Sequence, residues 1–199
     1  MKGVVLFLLL LTLPLAAQEM ETLIGGRIES GGYGGPMLSF SSINGESAVL
    51  VGGRGGWIIN HQFVLGGGGY AVASNHRAAL QSADGEELYI EAGFGGLMLE
   101  YYHRPAHLLH FALHAFIGGG TVTYSERNEK DDGGEGEKFD MDSFFYLEPG
   151  VTLTLNVTSF MRFGAGVSYR YVNGVSLAPL TDSDLSAPAF NLFLNFGSF

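Results

Sequence analysis

The sequence predicts an all-β fold: an eight-stranded antiparallel up-and-down transmembrane β-barrel. Three observations predict it. Apolar and polar residues alternate with a period of two along eight segments, the links between those segments are sorted by length, and the chain is apolar without a helix-length apolar run beyond its start.

Residues 1–17 read as a signal peptide. Lys2 supplies the positive start, Val4 to Leu13 form the apolar stretch, and Pro14-Leu15-Ala16-Ala17 offers a small-residue cleavage site. The stretch is too short to span a bilayer, which takes about 20 residues. This divides the chain into the signal peptide, a periplasmic lead-in segment over 18–31, and a barrel over 32–199.

The chain has 199 residues, enough for one domain. It carries 10 basic and 20 acidic residues; without Lys2 the balance is 9 to 20, a net charge of −11. Nucleic acid is therefore excluded as a partner, because phosphate binding needs a basic surface. Cysteine is absent, so no disulfide framework holds the fold. The 31 glycines accompany 46% hydrophobic residues, yet no transmembrane helix is encoded after the signal. Only helices and closed barrels satisfy the backbone in lipid, so an apolar, non-helical exported chain points to a barrel.

Taken in order, the strands fall near 32–42, 47–59, 63–74, 87–102, 108–124, 141–155, 160–172 and 187–197. The second alternates Val49, Val51, Gly53, Gly55, Trp57 and Ile59 against Arg54 and Asn60. The fifth sets Leu109, Phe111, Leu113, Ala115 and Ile117 against His110 and His114. The sixth sets Leu147, Val151, Leu153 and Leu155 against Glu148, Thr152 and Thr154. The seventh sets Phe163, Ala165, Val167, Tyr169 and Tyr171 against Arg162, Ser168 and Arg170. Links at 60–62, 103–107 and 156–159 are short, and those at 75–86, 125–140 and 173–186 are long and polar. The first hairpin is a tight Asn44-Gly45 turn. Short turns at one end and long loops at the other fit periplasmic turns and extracellular loops, whereas a soluble sandwich has no reason to sort them.

The alternating strands, the loop asymmetry and the ending from Phe190 to Phe199 resemble the small outer-membrane barrels of the OmpA and OmpX type. The resemblance implies residence in the outer membrane of a Gram-negative cell, with membrane lipid as the surroundings. Phe196 and Phe199, closing the last strand, resemble the signal that such proteins present to the barrel-insertion machinery. No peptidoglycan-binding domain follows the barrel in this sequence, so an OmpA-like anchoring role is not implied.

An eight-stranded interior is filled by side chains, and charges inside it must be paired. Arg54, Glu148, Arg162 and Arg170 belong to this expected lumen network with His110 and His114. Glu91 and Glu100 have opposite parity on one strand; a bulge at Gly95-Gly96 would place both inside, and without it one sits at a rim. The network reads as a structural plug, with a narrow ion or proton conduit as the sharper alternative. Histidines cluster at 103, 107, 110 and 114: His103 and His107 could bind a metal if their periplasmic turn curls, whereas His110 and His114 stand roughly 13 Å apart along an extended strand and cannot chelate one ion together. No metal or other cofactor is expected. The acidic stretch within 125–140 lacks the spacing of a calcium loop and reads as a solvated loop.

Enzyme chemistry is weakly signalled. Ser74 and Ser125 stand at loop bases without a matched histidine and acid on a neighbouring strand, and His76 alone is expected on the outer side. A non-enzymatic barrel is the first reading, and a lipid-modifying acyl hydrolase or acyltransferase is an alternative.

Glycine placement carries the strongest functional hint. A two-residue turn at Asn44-Gly45 and a three-residue turn at 60–62 set Gly34 opposite Gly55, Pro36 opposite Gly53, Gly55 opposite Gly67 and Gly53 opposite Gly69; a two-residue second turn would exchange Gly67 and Gly69 for Gly66 and Gly68 and leave the patch intact. Opposed residues share a face. The lipid side of the first three strands should then be smooth at Gly34, Pro36, Gly53, Gly55, Gly67 and Gly69, and bulky elsewhere. Barrel curvature or room for interior groups explains such glycines structurally. A docking surface for another outer-membrane protein explains them functionally, as small residues let membrane segments pack closely. The sequence thus favours an accessory subunit of a larger outer-membrane complex.

Overall fold

A computed structural model describes residues 28–82, 85–126 and 138–199. The signal peptide, most of the lead-in segment and most of the acidic loop lie outside the described residues. The elements are β1 (Ser30–Ile43), β2 (Glu46–Ile59), β3 (Phe63–Val72), β4 (Arg77–Gln81), β5 (Glu87–His103), β6 (Leu109–Glu126), β7 (Lys138–Asn156), β8 (Met161–Asn173), a single-turn helix α1 (Asp182–Leu185) and β9 (Ala187–Ser198).

Eight of these strands close a barrel. Each pairs antiparallel with its chain neighbour, β3 pairs with β5 past the short β4, and β1 pairs with β9 to shut the cylinder. The β1–β2 turn has left-handed φ at both Asn44 (51°) and Gly45 (77°), the backbone an Asn-Gly hairpin turn requires. The β2–β3 turn has three residues, since Ile59 pairs with Phe63. Both outcomes match the expected registers.

The registers also give the shear. A path along the hydrogen bonds runs Ser30, Ile59, Phe63, Tyr101, Leu113, Val151, Val167, Phe190 and back to β1 at Phe40, ten residues beyond its start. Eight strands with that stagger tilt about 40° from the axis, from strand spacing and rise per residue. The interior of such a cylinder has room only for side chains.

Inside, Met98, Tyr102, Phe116, Tyr146 and Phe193 are fully buried. Several inward glycines exist because the wall bends there. A Cβ on Gly52 would lie 2.0 Å from the Gly69 carbonyl oxygen, and one on Gly118 2.2 Å from that of Gly95. Outside, the wall is apolar: Leu65, Leu97, Leu99, Leu113, Val151 and Leu153 are all exposed. Outward aromatic pairs lie towards both ends, with Phe63 on Tyr101 at 5.2 Å and Tyr169 on Tyr171 at 4.4 Å. A closed barrel wearing its apolar face outward is built for lipid.

Strand boundaries differ from expectation by one to three residues at several ends. The third strand ends at Val72 rather than 74, and the loop expected over 75–86 contains β4, which pairs only with β5. The first strand starts at Ser30, two residues early, because its register with β2 runs to Ile59. The loop before β9 folds inward: Leu177, Leu180 and Leu185 are buried, and the Asn44 N–H donates to the Asp184 carbonyl at 2.7 Å. This loop closes over one mouth of the barrel, here called the loop end; the start of β1 and the end of β9 lie at the other, here called the terminal end.

Candidate functional site

The lumen charges sit where alternation places them, with one exception, and their partners come from across the barrel. Arg54 of β2 reaches Glu100 of β5 at 3.2 Å, with side chains 1% and 0% exposed. The Tyr33 hydroxyl of β1 donates to the same carboxylate at 2.6 Å, and the Arg54 guanidinium lies 3.8 Å over the Phe193 ring. Nearer the loop end, Glu148 accepts hydrogen bonds from the hydroxyls of Tyr70 and Ser168, and the Asn191 amide donates to Ser168 at 2.8 Å. Buried charges cost several kcal/mol each unless satisfied in this way.

Arg170 ties the mouth shut. Its Nε donates to the Leu185 carbonyl at 2.8 Å, and one Nη donates to the Ser42 carbonyl at 3.2 Å, joining α1, β1 and β8. Arg162 at the terminal end lies 4.0 Å over Phe199 and 5.2 Å over Tyr102. His110 bonds the His107 carbonyl through Nδ1, and His114 meets Thr152 Oγ1 at 3.3 Å between the edges of Phe116 and Phe193. Among the described residues, no three His, Asp or Glu side chains converge as metal ligands.

Glu91 is the exception. Pairing runs unbroken through Gly95 and Gly96 on both sides of β5, so there is no bulge there to turn it inward. Glu91 is exposed on the outward face near the loop end, accepting from Ser125 Oγ at 2.7 Å, and does not belong to the lumen network. The tyrosines, Ser168 and Asn191 that satisfy the charges are not singled out by sequence, because the barrel brings them together from β1, β3, β8 and β9.

The glycine wall has the expected register: Gly34 faces Gly55, Pro36 faces Gly53, Gly67 faces Gly55, and Gly69 faces Gly53. It also extends further. The path from Pro36 continues through Gly53 and Gly69 to Gly95 of β5 and Gly119 of β6 before meeting Phe145. Smoothness limited to three strands is thus corrected to a stripe crossing five, about 19 Å wide at the usual strand spacing. The added glycines were hidden because the register across 73–86 is set by the fold. Pro36 sits in the closing seam, where β1–β9 pairing skips Gly35 and Pro36 and resumes at Met37 with Phe193.

These outward glycines divide by cause. A Cβ on Gly55 would stand 2.7 Å from the Tyr33 carbonyl oxygen, and one on Gly69 2.8 Å from that of Phe94, so the wall itself requires glycine there. At Gly34 and Gly95 the nearest atoms are 3.9 and 3.8 Å away, and at Gly93 nothing lies within 4 Å. Nothing inside the barrel demands glycine at those three positions.

At the loop-end rim, a grouping appears that the sequence reading did not anticipate. Ser74 Oγ lies 2.7 Å from His76 Nε2, and His76 Nδ1 lies 3.4 Å from Glu46 Oε2. The expectation that Ser74 lacks a matched histidine and acid is corrected. The break between β3 and β4 holds Ser74 and His76 side by side, and β2 brings Glu46 from the other hairpin. The spacing Ser-x-His was the available signal. Of the two terminal aromatics, Phe196 faces outward, and Phe199 is partly buried and stacks on Tyr33 at 6.0 Å.

The chain matches no protein-family model and no curated protein. Among solved structures it is similar to Neisserial surface protein A, at 12% identity and a TM-score of 0.52, over 87% of this chain and 99% of that one. It is also similar to the attachment invasion locus protein Ail of Yersinia pestis, at 13% identity and a TM-score of 0.47, over 84% and 97% of the two chains. A third similarity is to the outer membrane protein OprG from Pseudomonas aeruginosa, at 13% identity and a TM-score of 0.47, over 84% and 94%. The fold is that of the small eight-stranded outer-membrane β-barrels.

Proposed function

We propose that this chain is an integral outer-membrane barrel of a Gram-negative cell, inserted with its termini in the periplasm, that serves as an accessory subunit docking on another outer-membrane protein. The interior supports a structural plug rather than a conduit. Its charges are spent on one another, on tyrosines and on the inturned loop, which leaves the outer wall as the working surface. The strand ending at Phe196 and Phe199 would engage the insertion machinery during assembly.

One observation carries the docking reading: Gly34, Gly93 and Gly95 face outward where a side chain would fit without a clash. Glycine weakens a strand relative to larger residues, so its use where a side chain would fit calls for an external cause. Close packing of a second membrane protein against this stripe is such a cause. The test is a photo-crosslinking residue placed at Gly95, with Leu113 on the bulky wall as control, in cells making the protein at native level. A single defined protein adduct at Gly95, absent at Leu113 and suppressed by Gly34→Leu in a folded barrel, supports docking. Lipid adducts alone at both positions refute it.

A further inference from the structure

We propose that Ser74, His76 and Glu46 form a nucleophile, general base and orienting acid at the loop-end rim, hydrolysing carboxylic esters of amphiphiles in the adjoining leaflet. The activity goes beyond the docking role and shares with it only the membrane placement.

Geometry assigns each group a part. His76 presents Nε2 to the serine at 2.7 Å and Nδ1 to the glutamate at 3.4 Å, so the two ring nitrogens face the two partners a base of this kind needs. Ser74 Oγ also accepts the Val49 N–H at 2.9 Å. In the neutral Nδ1–H tautomer the hydroxyl donates to Nε2, and the Nδ1 edge of the ring lies beside the Glu46 carboxylate without a formed hydrogen bond. The imidazole is 2% exposed, while the Glu46 side chain is 60% exposed. Capping the Val49 N–H would need the hydroxyl alone. It gives no reason for a buried histidine on that hydroxyl and an acid on the far nitrogen.

Access and substrate class follow from the local wall. The ladder of β2 with β3 ends at Leu50 with Val72, the Val49 carbonyl still accepts the Ala73 N–H at 2.8 Å, and β4 pairs only with β5, leaving a notch beside Glu46 to Ala48. Outside the same rim is a groove of about 440 Å³, lined by Phe40, Ala48, Val49 and Pro188 together with Ser41, Ser42 and Ser47. An amphiphile with its chain in this groove would hold its ester at the height where the apolar wall ends. Ser74 Oγ would attack the carbonyl carbon as its proton passes to His76 Nε2. That proton then leaves with the departing alcohol as the ester C–O bond breaks. A water, deprotonated by the same nitrogen, would release the carboxylic acid and restore the serine.

The full chain in detergent micelles, with folding checked by heat-modifiable migration, provides the test. A fluorophosphonate probe is expected to label Ser74 stoichiometrically by mass spectrometry, and Ser74→Ala to abolish labelling. Hydrolysis of p-nitrophenyl esters is expected to rise from four-carbon to twelve-carbon chains. It should fall about 100-fold in His76→Gln, the lower range for loss of a general base. Because the chain has no cysteine, Ser74→Cys introduces a single thiol. Its alkylation by iodoacetamide should slow about tenfold when His76→Gln is added, as expected when a thiolate loses its activating base. No labelling and no hydrolysis by the folded protein, or a thiol indifferent to His76, overturns the proposal; rates flat across chain length overturn the substrate class.

Discussion

Replacing Arg54 by methionine removes one half of the most deeply buried ion pair and keeps most of its apolar volume. Glu100 would then keep the Tyr33 hydroxyl at 2.6 Å as a donor but lose its counter-charge, in a site where its side chain has no exposure. Breaking a buried pair by removing one partner costs about 3–5 kcal/mol, because the survivor keeps its desolvation penalty. Glu100→Gln should cost a similar amount, since it leaves a guanidinium with no counter-charge among the Phe193 and Tyr33 rings and the Met98 sulfur. Arg54→Met combined with Glu100→Gln removes both charges, so its cost should fall well below the sum, with a coupling of about 1–3 kcal/mol. Reversible urea unfolding in lipid vesicles, followed by tryptophan fluorescence from Trp57, measures all three. Single substitutions that each cost under about 1 kcal/mol, or costs that add within about 0.5 kcal/mol, would refute the view that this pair holds the lumen together.

Two further outcomes test the wall and the mouth. Gly52→Ala places a Cβ 2.0 Å from the Gly69 carbonyl oxygen and should destabilise the barrel by about 1–3 kcal/mol, the usual cost of overpacking. Gly34→Ala, with its nearest contact at 3.9 Å, should be neutral or stabilising in the same unfolding assay. Arg170→Ala removes the bonds to the Leu185 and Ser42 carbonyls, so protease added to intact vesicles should cut within 174–186 at least tenfold faster than in the parent protein.

Much of the barrel was legible because strand geometry is local. Alternation of Val49, Val51 and Trp57 against Arg54 needs no partner to be read. The Asn44-Gly45 turn fixes its own register, from which the pairings of Gly34 with Gly55 and Pro36 with Gly53 follow by counting. Counting fails where a long link intervenes. Across 73–86 no turn type sets the register, so the membership of Gly95 and Gly119 in the stripe and the outward placement of Glu91 could not be counted out. The Ser74, His76 and Glu46 grouping escaped for the same reason, since a broken strand and a neighbouring hairpin supply its parts.

The amino-acid sequence alone determined the class of fold, the lipid-facing side of each strand and most residues turned inward. A period of two, the turn chemistry and a thirty-ångström membrane leave few other arrangements. Tertiary structure decided who meets whom. Closing eight strands with a stagger of ten residues from Ser30 to Phe40 brings Arg54 to Glu100 and Tyr70 to Glu148. It folds Leu185 into the mouth and joins β2 to a break in its neighbour at the rim. These contacts depend on closure of the whole cylinder, a distance that no local pattern measures.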